Sequence, residues 1–507
     1  MPKKIINIDI NRVEGDLELK LEIEDNVVTN AWCIGTMFRG FEDLLRGRNA
    51  MDSLVITPRV CGICGTAHLY TAVTALEKAM NCNVASNGTR IRNICLLAEE
   101  IQSDTRHAFL MYTIDFCNEK YKESKYYPKL LEYFAPLKGK YYAETILQTK
   151  KLLEIVAMFG GQWPHSSYMI PGGVSSIHNI RNVIQSIAII DNYAKWYENV
   201  ILGCSFERWL QIKSMNDLQN WINEKQSHKN SPVGLFVRFG RAENLHKLGM
   251  GAGNLLSYGN YFIPDEWKPP FDSRTCYRPA GFYNGETKEI EFFDQSLIEE
   301  FVKHSRYKNY DMGKHPYTGE TIPEMEGEDK YSFAKAPRYK RKVIETGPFA
   351  ELIISKDPLI TDFFHKEGSN AWLRQFARFH RPVLSLILMK NFLNELKTHF
   401  DEPNYEKPSG IGDGSGHGLI MAARGALGHW VRVKEGKIEN YQIITPTAWN
   451  VSPRDDNGNM GHMESTLMNT TIQDIDNPVE IGHIIRSHDA CLVCTVHMLK
   501  GNKNYRY

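Results

Sequence analysis

Neither sign of charge dominates this chain: 60 Lys and Arg stand against 60 Asp and Glu. A balanced chain presents no global field for nucleic acid or an anionic membrane. No apolar stretch approaches the about 18 residues that a membrane helix needs. The opening "MPKKIINIDI" alternates at once, without the apolar run of a signal peptide. We therefore expect no nucleic-acid partner, no transmembrane segment, and a place in the cytoplasm or peripheral on a membrane, with export alongside a partner left open. No Ser- or Gly-rich linker and no repeat divide the 507 residues, which favours one large domain over several. Cysteine is scarce as well. Ten in 507 residues are too few for a disulfide scaffold.

What is present is periodic. "LELKLEIE" (17–24) alternates Leu17, Leu19, Leu21 and Ile23 with polar residues, as a half-buried strand does. "EDN" (24–26) reads as a turn and "VVTNAWCI" as the returning strand. After "TPRVCGICG" the period changes: Leu69, Ala72, Val73, Leu76 and Met80 recur at helical spacing. Residues 91–115, 145–158, 183–200 and 382–398 also read as helices. Residues 260–340, richer in Pro, Gly, Tyr and charge, read as an irregular or strand-containing insertion. The fold class expected is α+β, mainly helical.

Six of the ten cysteines are scattered singles that read as buried structural thiols, but the other four form two Cys-x-x-Cys pairs, "CGIC" (61–64) and "CLVC" (491–494). Two thiolates three residues apart converge where a turn enters a helix, so each pair can clamp a metal. Zinc ribbons place such pairs about 15–20 residues apart. Here Cys491 stands 427 positions beyond Cys64, which suits a buried cofactor better than a local structural staple. Four soft thiolates select zinc, copper(I), iron–sulfur or nickel over hard cations. Spacing alone leaves a structural metal, a redox centre and unrelated thiols all open. Both pairs are followed by a histidine, His68 four residues after Cys64 and His497 three after Cys494, and a histidine so placed can donate to a thiolate sulfur.

"RVCGICGTAH" (59–68) with "DACLVCTVH" (489–497) resembles the two metal-binding signatures of the nickel–iron hydrogenase large subunit. "NRVEGDLELKLEI", "GTMFRGFEDLLRGR", "PHSSYMIPGGV" (164–174), "YSFAKAPRYKRKVIETGPFAEL" (331–352), "AARGALGHW" (422–430) and "TPTAWNVSPRD" (445–455) resemble further blocks of that family, in order along the whole chain. The resemblance implies the family's fold, a helical bundle core with small peripheral sheets, over residues 1–497. It implies a catalytic subunit that splits H2 reversibly into protons and electrons.

Residue by residue, the resemblance implies Cys61 and Cys491 as terminal nickel ligands and Cys64 and Cys494 as bridges to an iron that carries carbonyl and cyanide. Glu14 matches a proton-relaying glutamate, for which a partly buried carboxyl of raised pKa is suited. Asp16 stands where the family usually has histidine. Arg424 matches an arginine that reaches over the metals, with Asp104 and Asp489 as the carboxylates that hold it. Thr447 matches a hydroxyl that donates to a cyanide. Ala423 and Ala490 stand where the family commonly has proline, and loss of that ring loosens the backbone. Glu42, the carbonyl of Ile443 and the imidazole of His497 match a site for magnesium or another divalent ion.

The resemblance also implies partners. No further cysteine cluster is present to carry electrons away, so an iron–sulfur small subunit is expected, in a heterodimer whose higher assembly is open. "MLKGNKNYRY" (498–507) begins directly after His497, where the family carries a tail removed by a maturation endopeptidase. A hydrogen sensor and a non-catalytic respiratory subunit share this scaffold. The tail counts against the first and the four cysteines against the second.

Overall fold

The computed structural model describes residues 3–176, 179–271, 275–327 and 329–495, with backbone alone at Cys494 and Thr495. Alternation produces the first sheet. Strands β1 (Lys4–Ile10), β2 (Leu17–Glu24) and β3 (Val27–Gly35) pair antiparallel in that order. Leu17, Leu19, Leu21 and Ile23 are buried on one face, as their spacing predicts. Asp25 and Asn26 join β2 to β3 with φ of 50° and 62°, the left-handed conformation that two-residue hairpins favour and that Asp and Asn tolerate.

The first cysteine pair leads into helix α1 (Gly65–Met80), followed by α2 (Ser86–Arg106), α3 (Lys140–Gly160) and α4 (Ile180–Trp196). Each begins and ends within a few residues of the periodic stretch that predicts it, except that α2 stops at Arg106. Beyond it, residues 107–112 widen into a π-turn and 113–117 tighten into a 3-10 turn. The insertion expected over 260–340 is a packed part of the molecule. Strands β4 (Leu255–Phe262), β5 (Cys276–Asn284) and β6 (Glu289–Glu291) form a sheet with β7 (Glu345–Thr346) in the order β7-β4-β5-β6, and β4 is buried throughout.

Helix α5 (Pro348–Ile354) precedes α6 (Ala371–Thr398), which lies along α2 in the centre of the core. The sequence predicts a helix only from Pro382, the usual place for proline being a first turn. The helix in fact begins eleven residues earlier, and Pro382 sits inside it. It leaves the Arg378 carbonyl without its intrahelical donor, and burial on all sides holds the helix together regardless.

Last comes an antiparallel sheet of β8 (Gly414–Ala422), β9 (Gly425–Lys434) and β10 (Lys437–Ile444), then helices α7 (Val479–Ser487) and α8 (Leu492–Thr495). Helix α1 lies directly on β8. A Cβ at Gly414, Gly416 or Gly418 would stand 2.4 Å from Ala79 O, 2.1 Å from Ala75 O and 1.8 Å from Thr71 O. Period two on the strand thus meets period four on the helix, and only glycine permits so close an approach. This contact sets the depth of α1, and with it the place of Cys64 at its start.

Candidate metal centre

Cys61 and Cys64 sit on the turn before α1. Its first amides need acceptors, as at any helix start, and Glu99 on α2 provides them: Thr66 N–H and Ala67 N–H donate to its two oxygens at 2.9 and 3.0 Å. Burial pushes the Glu99 carboxyl up to about 7, against those two backbone donors, and the charge of Cys61 adds to the rise. At the other end of the chain, Cys491 follows Asp489, whose φ of 53° turns the backbone sharply after α7. The Cys491 N–H donates to the hydroxyl of Thr447 at 2.9 Å.

The N-terminal segment clasps this turn. Glu14 N–H donates to Ala490 O at 3.3 Å, and Leu492 N–H donates to Glu14 O at 2.6 Å. Gly15 makes the clasp possible: at φ 84°, a Cβ there would meet Val493 N at 2.9 Å. Residues from three distant stretches converge in consequence. The sulfurs of Cys61, Cys64 and Cys491 lie within 4.8 Å of one another, all buried, and Cys61 Sγ is 3.7 Å from Cys491 Sγ. That is far beyond a disulfide bond of about 2.05 Å. It fits two thiolates on one metal, since bonds of ~2.3 Å at a tetrahedral angle separate sulfurs by about 3.8 Å.

Arg424 lies beside the thiols in the hairpin turn between β8 and β9. Its Nε donates to Asp489 Oδ1 at 3.0 Å, while Nη1 is buried with no hydrogen-bond partner among the described residues. Burial opposes its charge, but Asp489 and then Cys491, Cys64 and Cys61 outweigh burial and keep it firmly protonated. An orphaned guanidinium donor next to a set of thiols is what a buried cofactor with acceptor groups would satisfy. Asp489 is also approached by Arg378 Nε and His107 Nε2, each at 3.8 Å. Burial raises its carboxyl, yet Arg424, His107 and Arg378 together hold it below its ordinary value. Burial pushes His107 down to about 3, against the pull of Asp489. Glu14 is half-buried. Burial first, and the Cys61 charge second, raise its carboxyl, with Arg424 opposing.

Asp104 departs from expectation. The resemblance pairs it with Arg424, but both its oxygens accept from Arg381, at 2.8 Å each. His68 Nδ1 shares a hydrogen bond of 3.1 Å with His429 Nε2, and His429 Nδ1 shares one of 2.8 Å with the Tyr441 hydroxyl. Glu42 does meet Ile443, through the amide: Ile443 N–H donates to its Oε1 at 2.8 Å, the Thr321 hydroxyl donates to its Oε2, and Lys335 Nζ lies 3.7 Å away. Of the expected divalent-ion set, Glu42 is the one described side chain, and a buried ammonium competes for it. A six-coordinate oxygen site is not assembled among the described residues. The Cys494 thiol, His497 and the tail 498–507 lie outside the described residues. Sequence reasoning missed Glu99, His107, Arg378 and Arg381. The three arginines Arg374, Arg378 and Arg381, four and three residues apart and so on one face of a helix, were the signal available.

The nickel-dependent hydrogenase family matches residues 39–129 and 136–497. The chain belongs to this family. The chain is similar to the periplasmic [NiFeSe] hydrogenase large subunit of Desulfomicrobium baculatum, with 30% identity over 97% of this chain and 95% of that one. It is 27% identical to the hydrogenase-2 large chain of Escherichia coli (strain K12), over 99% of each. The reduced, active form of the Ni-Fe-Se hydrogenase from Desulfomicrobium baculatum superposes with a TM-score of 0.83 at 30% identity, covering 97% of this chain and all of that one. This hydrogenase large subunit has the family's mainly helical fold with small sheets, and it carries cysteine at all four signature positions.

Proposed function

We propose that this chain is the catalytic subunit of a nickel–iron hydrogenase, oxidising H2 reversibly to protons and electrons. The observation that carries this proposal is the buried set of Cys61, Cys64 and Cys491, with the Nη1 of Arg424 beside it lacking a partner among the described residues. Cys494 completes the four ligands by its match to the family signature. A nickel–iron pair with carbonyl and cyanide on iron, when bound, supplies the Lewis acidity that polarises H2.

The chain's own residues do the rest. With a metal bound, Cys61 and Cys491 would hold it as thiolates and serve as electron-rich bases within the site. Arg424, held charged and aimed by Asp489, has Nη1 left over and would donate from it to acceptor groups of the bound cofactor, and the Thr447 hydroxyl, which accepts from Cys491 N–H, would keep its own proton to donate likewise. Glu14 is held next to Cys491 by its backbone, and its raised pKa suits a carboxyl that collects a proton from a thiolate and passes it on. Asp16, in the same loop, is exposed.

Electrons leave through a partner, since the one cluster of three or more candidate metal-binding side chains among the described residues is this site. The relatives' names as large subunits support an iron–sulfur small subunit as that partner. A divalent ion held by Glu42, the Ile443 carbonyl and His497 would accompany the nickel–iron pair. No helix among the described residues is long and apolar enough to cross a membrane. Placement in the cytoplasm or peripheral on a membrane is retained, with export alongside the small subunit accommodating the periplasmic relative.

Elemental analysis of the matured heterodimer tests the reading. Nickel and iron in near equal amounts are expected beyond the iron of the small subunit. Zinc alone at the cysteine site of active protein would overturn it.

A further inference from the structure

We propose that Arg381 is a positioning residue for Arg424, which it holds through the backbone carbonyl of Ala423. The inference rests on the place given above to Arg424 in the metal centre. Ala423 and Arg424 form the two-residue connection between β8 and β9, since Ala422 pairs directly with Gly425. Two-residue hairpins favour turns with positive φ at one or both central residues, and neither Ala423 nor Arg424 adopts it. The turn is not one that its own sequence stabilises well. Something outside it must fix the direction in which Arg424 leaves the backbone.

Arg381 is that brace. Its Nη2 donates to Ala423 O at 2.7 Å. The same guanidinium is itself immobilised: Nε and Nη2 fork onto Asp104 at 2.8 Å each, and Nη1 donates to Glu351 at 2.9 Å with Glu100 at 3.3 Å. Arg381, Asp104, Glu100 and Glu351 are all essentially inaccessible to water. They come from α6, α2 and α5, so the brace ties the turn to three helices of the core. Buried ion pairs are poor sources of net stability, because desolvation cancels most of their attraction. They are better suited to fixing one geometry, and here the geometry fixed is that of the residue preceding Arg424. Asp104 thereby acts on Arg424 at one remove, through Arg381 and a carbonyl.

Lysine keeps the charge of Arg381 but cannot fork onto Asp104 and reach the carbonyl at once. The test is a cycle of Arg381→Lys and Arg424→Lys, singly and together, in the metal-loaded heterodimer. Arg381→Lys should lower kcat for H2 oxidation about tenfold with KM and nickel content unchanged, and should cost less than about twofold more in the Arg424→Lys background. Its crystal structure should show Arg424 Nε moved out of hydrogen-bond reach of Asp489 Oδ1, a readout independent of turnover. The fall in thermal midpoint should be equal in both backgrounds. An equal loss of kcat in both backgrounds, or an unmoved Arg424, would overturn the inference while leaving the proposed function intact. Wild-type turnover in Arg424→Lys alone would instead remove Arg424 from the site. If Arg381→Lys does not fold, Asp104→Asn replaces it in the cycle, with a loss of about threefold expected that again vanishes beside Arg424→Lys.

Discussion

Glu14 and Cys491 lie side by side as a one-residue parallel bridge, 477 positions apart in the chain. Hydrogen bonds from Glu14 to the residues on either side of Cys491 lock the two backbones in register. The N-terminal loop thus closes over the second cysteine pair and brings a carboxyl of raised pKa with it. The Glu14→Gln variant keeps the shape and the backbone clasp but cannot ionise. It should retain its nickel and lose turnover by about 10²–10⁴-fold, the usual worth of a positioned acid–base group. Parallel measurement of metal content and H2 oxidation checks this, and unchanged turnover would take Glu14 out of the relay.

Acid should destabilise the protein through buried neutral histidines. Burial depresses both His462 and His483 to about 4, in each case against a nearby carboxylate, Glu345 and Asp115 respectively. Both are fully enclosed, and His483 Nε2 shares a 2.7 Å hydrogen bond with the Tyr121 hydroxyl. A group whose folded pKa lies below its unfolded value binds fewer protons when folded, so stability falls as pH falls. The loss begins near 6.5, is complete near 4, and amounts to about 3 kcal/mol per histidine. Thermal midpoints at pH 7 and pH 5 should therefore diverge, and the gap should narrow in His483→Gln. An equal gap in that variant would assign the acid lability elsewhere.

How far the sequence foretold these contacts depends on whether a signal is local. The alternation of β2 and the helical spacing after Cys64 are local, and the structure reproduces both. The two cysteine pairs repeat one pattern, so their convergence could be suspected without any fold. The partner of Asp104 could not. Arg381 stands 277 positions away, and a sequence records that a charge exists without recording which charge it meets. Pro382 actively misled, because its meaning at a helix start is local whereas the burial that overrides it is tertiary. The left-handed backbone at Asp489, which swings Cys491 toward Cys61, likewise has no marker, because aspartate tolerates that conformation without requiring it.

The last expectation concerns "MLKGNKNYRY", residues 498–507. On the family match, the His497 imidazole belongs beside Glu42 and Ile443. That neighbourhood is closed: Glu42 is 5% exposed and Ile443 9%. It already holds one cation, since Lys335 donates to Gln442 Oε1 at 2.6 Å and lies 3.7 Å from Glu42. A chain continuing past His497 would have to carry Lys500, Lys503 and Arg506 out through packed protein. Burying those charges unpaired costs several kcal/mol each, by the order of magnitude usual for isolated ions, and Lys335 offers repulsion in place of a partner. An uncut tail should therefore keep the terminus away from Glu42 and leave the second cysteine pair open for metal loading, with cleavage allowing closure. Intact-mass measurement of the active heterodimer should show a large subunit ending at His497. A full-length mass in fully active protein would mean that the tail runs over the surface and that closure needs no protease.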